Sequence, residues 1–285
     1  MSNLISALQG RNIDPTQLGA LFDVDGCLVE PNKHELTQQQ QNTAARLYSL
    51  TGGSIALFSD NDMRLLHPMA PFLPIISEGG AVTLLDNSRD INDAKIIAPK
   101  ANISAMVAFA KSAVTAQGID CFTTHTPSNI ADKNRIVVET KQTRMGLNWG
   151  GESPELKEIA KEIGRLAIKE QGLCSQFNAV AESYDCVEIT PVGFIKPDRV
   201  QDIAKHPRFR GLKTIMFGDS PIDSEAGKKI DGCVALDNRI QTGQDHIITH
   251  MTAPDELWHN LSLLCDYLEA HTHINRGRAQ LALAA

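Results

Sequence analysis

Residues 18–28 read Leu-Gly-Ala-Leu-Phe-Asp-Val-Asp-Gly-Cys-Leu. The apolar run Leu18–Phe22 ends at an acid, which suits a strand buried on both faces of a sheet. Such a strand delivers two carboxylates, Asp23 and Asp25, and Gly26 lets the chain turn sharply behind them.

The same grammar recurs outward from this stretch. Ser54–Phe58 (SIALF) reads as a second buried strand and runs into Ser59-Asp60-Asn61-Asp62. Thr214–Phe217 (TIMF) reads as another and stops at Gly218-Asp219-Ser220-Pro221-Ile222-Asp223. Helical spacing of Leu36, Ala44, Leu47 and Leu50 predicts a helix over 36–51, ended by Gly52-Gly53. Further helices are expected through Leu65 and Leu66, over Val200–Ile203 after Lys196-Pro197-Asp198, and over Ser224–Ile230. Leu73–Ile76, Ala81–Leu85 and Gly232–Leu236 complete the strands. Strands alternating with helices predict an α/β fold with a parallel, Rossmann-like sheet, whose sites collect at the carboxyl ends of the strands. Asp23 with Asp25, Ser59, Lys196, and Asp219 with Asp223 are therefore expected to meet at one edge.

The middle of the chain has another order. Helices over Ile103–Gln117 and Pro154–Gln171 are each followed by a pair of candidate strands, with one further candidate ahead of the first pair. These strands are 120–124 and 135–139, with 145–149 pairing across a turn at Lys141–Arg144, then 173–180 and 184–190. This αββαββ order belongs to an α+β unit. Residues 1–86 and 191–270 thus read as one discontinuous core domain and 87–190 as an inserted unit. Hinges are expected near 86–88 and 190–193. Residues 271–285 lack a strong apolar face and read as a mobile tail or a marginal helix.

Composition narrows the function. The 285 residues carry 27 Lys+Arg against 34 Asp+Glu, a formal charge of −7, which argues against a surface built for duplex nucleic acid. Apolar residues are 42%, yet no run is long enough to cross a membrane, and the N-terminus lacks a basic, apolar export signal. The six cysteines form no CxxC or zinc spacing and read as reduced thiols of a cytoplasmic protein, with little support for a Cys174–Cys186 disulfide. Trp149 and Trp258 read as packing residues, Arg144 as an exposed turn arginine, and His246 and His250 as surface or helix histidines. The expected partner is a small molecule; the oligomeric state is left open.

Three converging acids without zinc-type ligands suit a hard divalent cation, Mg²⁺ first. A cation beside a carboxylate and a lysine is what an incoming phosphate needs. One carboxylate can attack phosphorus to give an aspartyl-phosphate. Another, two residues on, can protonate the leaving oxygen and later activate water. Ser59 and backbone N–H groups can hold phosphoryl oxygens while Lys196 offsets charge.

Over residues 18–240 the chain resembles the haloacid dehalogenase superfamily of phosphotransferases. FDVDGCL is similar to that superfamily's DxDGTL, with Cys27 in place of the usual threonine, and Ser59, Lys196 and GDSPID match its other three motifs. The resemblance implies Asp23 as nucleophile and Asp25 as acid/base. It implies Mg²⁺ on the Asp23 carboxylate, the Asp25 carbonyl and Asp219, with Asp223 in support. The position and order of the inserted unit resemble the cap of trehalose-6-phosphate phosphatases and phosphomannomutases. LPIISEGGAVTLLD and CVEITPVGFIKPD carry the closer likeness, and by position Glu188 matches the cap acid that grips sugar hydroxyls. Ser59-Asp60-Asn61 departs from the Ser-Gly-Arg usual in trehalose phosphatases, and Pro197 replaces a small residue. The short GDSPIDSEA segment favours hydrolysis of a phosphomonoester over mutase chemistry. A phosphomannomutase-like phosphotransferase and a non-catalytic sugar-phosphate-binding module are the alternatives.

Overall fold

The structure is a computed structural model. It describes residues 3–30, 33, 35–86, 88, 90–124, 135–151, 153–180, 186–236, 240–241 and 243–283, with side chains described as far as residue 271. In chain order the larger sheet takes β1 (Leu18–Phe22), β2 (Ile55–Phe58), β3 (Ile75–Ser77), β4 (Val82–Leu84) and β5 (Lys95–Ile96). The smaller sheet takes β6 (Asp120–Thr124), β7 (Arg135–Thr140), β8 (Met145–Trp149), β9 (Phe177–Val180) and β10 (Cys186–Pro191). The larger sheet then gains β11 (Lys213–Gly218), β12 (Cys233–Ala235) and β13 (Ile247–His250). The helices are α1 (Asn3–Gly10), α2 (Gln38–Leu50), α3 (Met63–Met69), α4 (Ile103–Ala116), α5 (Pro154–Glu170), α6 (Lys196–Ala204), α7 (Pro221–Lys228) and α8 (Pro254–Leu283).

The larger sheet has the order β13-β12-β11-β1-β2-β3-β4-β5. β1 lies at its centre, parallel to β11 with Phe22 opposite Phe217, and parallel to β2 with Phe22 opposite Leu57. Every residue of β1 and β2 is buried, because helices cover both faces. Ala20, Phe22, Ile55 and Leu57 pack towards α2 and α8, whereas Leu21, Ala56 and Phe58 pack towards α6 and α7. Strand alternation thus turns two unbroken apolar runs into two hydrophobic layers.

β4 and β5 break the parallel pattern. β4 runs antiparallel to β3 because only a 3₁₀ turn, Glu78–Gly80, separates them, too short for a crossover. That turn holds φ of 51°, 65° and 94° at Glu78, Gly79 and Gly80. The expected boundary at residue 87 does not follow the sheets, since β5 still pairs with β4 in the larger one. The hinge position Asn87 lies outside the described residues. At the far end the structure takes the helical one of the two readings, since α8 continues through residues 271–283.

The smaller sheet has the order β6-β7-β8-β10-β9, with α4 and α5 packed on one face. Ile136, Val138, Leu147, Trp149, Val187 and Ile189 fill that layer, so Trp149 is a packing residue. Period-two alternation sends Glu139 and Glu188 to the opposite face. Both stand opposite Gly146 of β8, one from each side, so a glycine separates the two carboxylates. All six cysteines are free, and no disulfide joins Cys174 to Cys186.

Candidate active site

The Asp23 amide extends the ladder beyond β1 by donating to the Phe217 carbonyl at 2.8 Å. The chain then coils on itself, with Leu28 and Val29 amides returning to the Val24 carbonyl. Gly26 has φ 74°, and a Cβ there would overlap the Asp219 carboxylate. Glycine is therefore required twice, for the turn and for the approach of β11's terminal acid.

Lys196 opens α6 and is 2% exposed. Its Nζ lies 2.8 Å from Asp23 Oδ1 and 2.7 Å from Asp223 Oδ1. Asp223 also closes a capping box at α7, accepting from the Ser220 amide and hydroxyl at 3.1 and 2.6 Å. Burial and the neighbouring Asp223 push the Asp23 carboxyl well above the usual carboxylate range, against the opposing pull of Lys196. Burial pulls Lys196 down, but Asp223, Asp23 and Asp60 outweigh it and raise it well above an ordinary lysine. One oxygen each of Asp23, Asp219 and Asp223 lies within 4.8 Å of the others. An all-oxygen, anionic set this close fits Mg²⁺.

Ser59 follows β2, and its hydroxyl accepts from the Asn61 amide at 3.2 Å. Asn61 in turn donates from Nδ2 to Asp25 Oδ2 at 2.6 Å. Asp25 is half-buried beside them. All four expected sites therefore meet at the carboxyl edge of the larger sheet, around a cavity of about 330 Å³ that also reaches Asp60 and Glu188.

Glu188 is buried and bonded to Lys141 at 2.8 Å, with Glu139 3.6 Å from the same ammonium. Burial raises the Glu139 carboxyl, whereas Glu188 and Glu139 together hold Lys141 charged in spite of its burial. Arg144 is a correction: it is fully buried, not an exposed turn residue. Its Nη1 lies 3.1 Å from Asp60 and 3.5 Å from Glu188. Sequence reasoning passed over Lys141, Asp60 and Asn61 as participants, and it placed Arg144 on an exposed turn. The available signal was two cations in the tight turn between two apolar strands, facing an inserted Asp-Asn after Ser59. His246 does not join the site; its Nε2 sits 2.9 Å from Ser224 Oγ.

Residues 20–253 match the family of haloacid dehalogenase-like hydrolases, and the chain belongs to that family. Its fold is similar to that of the C-terminal domain of C. albicans trehalose-6-phosphate phosphatase, with a TM-score of 0.66 at 15% identity over 93% of this chain and 98% of that one. A trehalose-6-phosphate phosphatase related protein gives a TM-score of 0.60 at 13% identity over 87% and 98%. A haloacid dehalogenase-like hydrolase from Bacteroides thetaiotaomicron gives 0.57 at 15% over 87% and 99%. At these identities the likeness is one of fold. No curated protein matches the chain by sequence.

Proposed function

We propose that this hydrolase cleaves a phosphomonoester through an aspartyl-phosphate on Asp23, with Mg²⁺ and with a sugar phosphate such as trehalose 6-phosphate as substrate. The observation that carries the reading is Asp23 itself. It is a buried carboxylate held 2.8 Å from Lys196, at the floor of a cavity that also presents Asp25.

Asp23 attacks phosphorus, forming a carboxylate–phosphorus bond as the ester P–O bond breaks. Asp25 gives its proton to the departing alkoxide, then takes one from the water that hydrolyses the acyl phosphate. Asn61 fixes the orientation of Asp25 during both transfers. Ser59 and Lys196 hold the phosphoryl oxygens. The Asp23 and Asp219 carboxylates and the Asp25 carbonyl would hold Mg²⁺, with Asp223 in support. The ion would offset the charge of phosphate and carboxylates together.

The unit of α4, α5 and the smaller sheet acts in this reading as a cap that closes over the substrate and excludes water. The row Glu139–Lys141–Glu188 on its inner face offers acceptors and donors to a polyhydroxylated leaving group. Six free cysteines support a reducing, cytoplasmic setting. The test is phosphate release from trehalose 6-phosphate, sucrose 6-phosphate, hexose phosphates and mononucleotides, with Mg²⁺ and with chelator. The reading expects one sugar phosphate to dominate and chelator to stop its turnover. Release from no member, or preference for a mononucleotide, contradicts it.

A further inference from the structure

Asp60 stands at an odd place for an acid. It lines the cavity, its side chain is 30% exposed, and its Oδ2 lies 4.0 Å from Lys196 Nζ. A carboxylate there occupies the same field as an incoming phosphate and competes for the same ammonium. Only one further cation is in contact with it, Arg144 at 3.1 Å, among the ion pairs of the described residues.

Arg144 comes from the other unit, in the turn between β7 and β8. Its Nη2 also donates to the Glu78 carbonyl, and to the Phe194 carbonyl at 2.8 Å. The Glu78 carboxylate fastens the same turn, accepting from the Gln142 and Thr143 amides at 2.9 and 2.8 Å and from the Thr143 hydroxyl at 2.6 Å. A Cβ at Gly79, where φ is 65°, would fill the slot that the guanidinium enters. The larger unit therefore carries a built socket for this one side chain, and Asp60 is its charged wall.

We propose that Arg144 is a positioning residue that makes the cavity receptive to phosphate when the turn is docked, by neutralising Asp60 and so releasing Lys196 to the phosphoryl group. With the turn withdrawn, Asp60 turns to Lys196 and the cavity repels the dianion. This rests on the phosphoryl-transfer reading above, and it assigns a reason to the Asp60-Asn61 departure from the usual second motif. The same guanidinium lies 3.5 Å from Glu188. Occupation of the polyol side and readiness of the phosphate side are thereby linked through one residue.

The test is calorimetric titration of inorganic phosphate, with Mg²⁺ present, into four full-length proteins: wild type, Arg144→Met, Asp60→Asn and the double variant. Arg144→Met should weaken phosphate binding by about 10-fold or more, the scale of one lost charge-assisted hydrogen bond. Asp60→Asn placed on top of it should recover most of that loss. A role in fold alone predicts no recovery, because the Glu78 and Phe194 carbonyls stay unpaired in both. If Arg144→Met does not fold by thermal melt, Arg144→Lys replaces it, with a smaller loss and the same recovery. Unchanged affinity in the Arg144 variant, or a loss that Asp60→Asn does not repair, overturns the proposal. Wild type that binds phosphate yet releases none from any ester overturns the hydrolytic reading and leaves this one standing. Wild type that binds no phosphate overturns this proposal, and the hydrolytic reading then stands or falls on ester turnover.

Discussion

The side-chain amide of Asn61 donates to Oδ2 of Asp25 at 2.6 Å, joining the segment that follows β2 to the carboxylate that follows β1. Orienting a proton donor matters most where the leaving group most needs a proton. Asn61→Ala should therefore lower kcat on alkyl phosphates by about 10-fold, within the range of positioned acid catalysis. On p-nitrophenyl phosphate, whose leaving group departs without a proton, the fall should be much smaller. Equal losses on both substrates would remove Asn61 from the acid step.

Gly26 tests the cation site without touching a charge. Its positive φ and the Asp219 carboxylate above it leave no room for a methyl group. Gly26→Ala should push Asp219 aside. Wild type should gain thermal stability with added Mg²⁺, about 2.7 kcal/mol at a hundredfold excess over Kd. Gly26→Ala and Asp219→Asn should lose that gain. A stabilisation by Mg²⁺ that survives in Asp219→Asn places the ion elsewhere.

Lys141 lies between Glu188 at 2.8 Å and Glu139 at 3.6 Å, and all three are buried. Removing the cation from such a group leaves uncompensated carboxylates, so Lys141→Met should cost about 3–5 kcal/mol of stability by urea unfolding. Glu188→Gln keeps the shape and removes one acceptor charge. It should lower kcat/KM for the sugar phosphate by about 10- to 100-fold and spare p-nitrophenyl phosphate. Parallel losses on both substrates would contradict a hydroxyl-reading role.

Burial raises the Asp60 carboxyl, but Lys196, Arg144 and Lys141 outweigh it and hold it below the usual range. A carboxylate lowered in the folded state adds stability above its unfolded pKa of about 3.9, and that share is lost as pH falls through the lower folded value. The Asp60–Arg144 contact is thus intact at neutral pH and fails only in acid, below the ordinary carboxylate range. Urea midpoints measured between pH 3 and pH 6 should fall less steeply with acid in Asp60→Asn than in wild type. Identical acid limbs would show that Asp60 keeps an ordinary pKa.

Much of the fold was legible because its central strands are buried on both faces. Leu18–Phe22 and Ile55–Phe58 show as unbroken apolar runs, and the acids and Ser59 mark where those runs end. The reversal at β4 was hidden in a short Glu-Gly-Gly turn that reads like any strand start. The helical course of 271–283 rests on helix-forming Ala, Leu, Arg and Gln without an apolar face, so periodicity could not decide between a helix and a tail. In the site, each residue tied to its own strand end was visible. Arg144 meets Asp60 across 84 residues, and Lys141 meets Glu188 across 47, and no local pattern encodes either meeting.

The central claim is that phosphate passes through Asp23. Acid quench during turnover of the preferred sugar phosphate, followed by mass analysis of the peptide containing residues 18–28, tests it most directly. The account predicts a hydroxylamine-labile phosphoryl group on that peptide. It predicts none in Asp23→Asn, whose turnover should fall by at least about 10³-fold. The metal-free variant should melt no lower than wild type, since burial and Asp223 already disfavour the Asp23 charge. Steady turnover in Asp23→Asn, or a phosphoryl group found on another residue, contradicts the account.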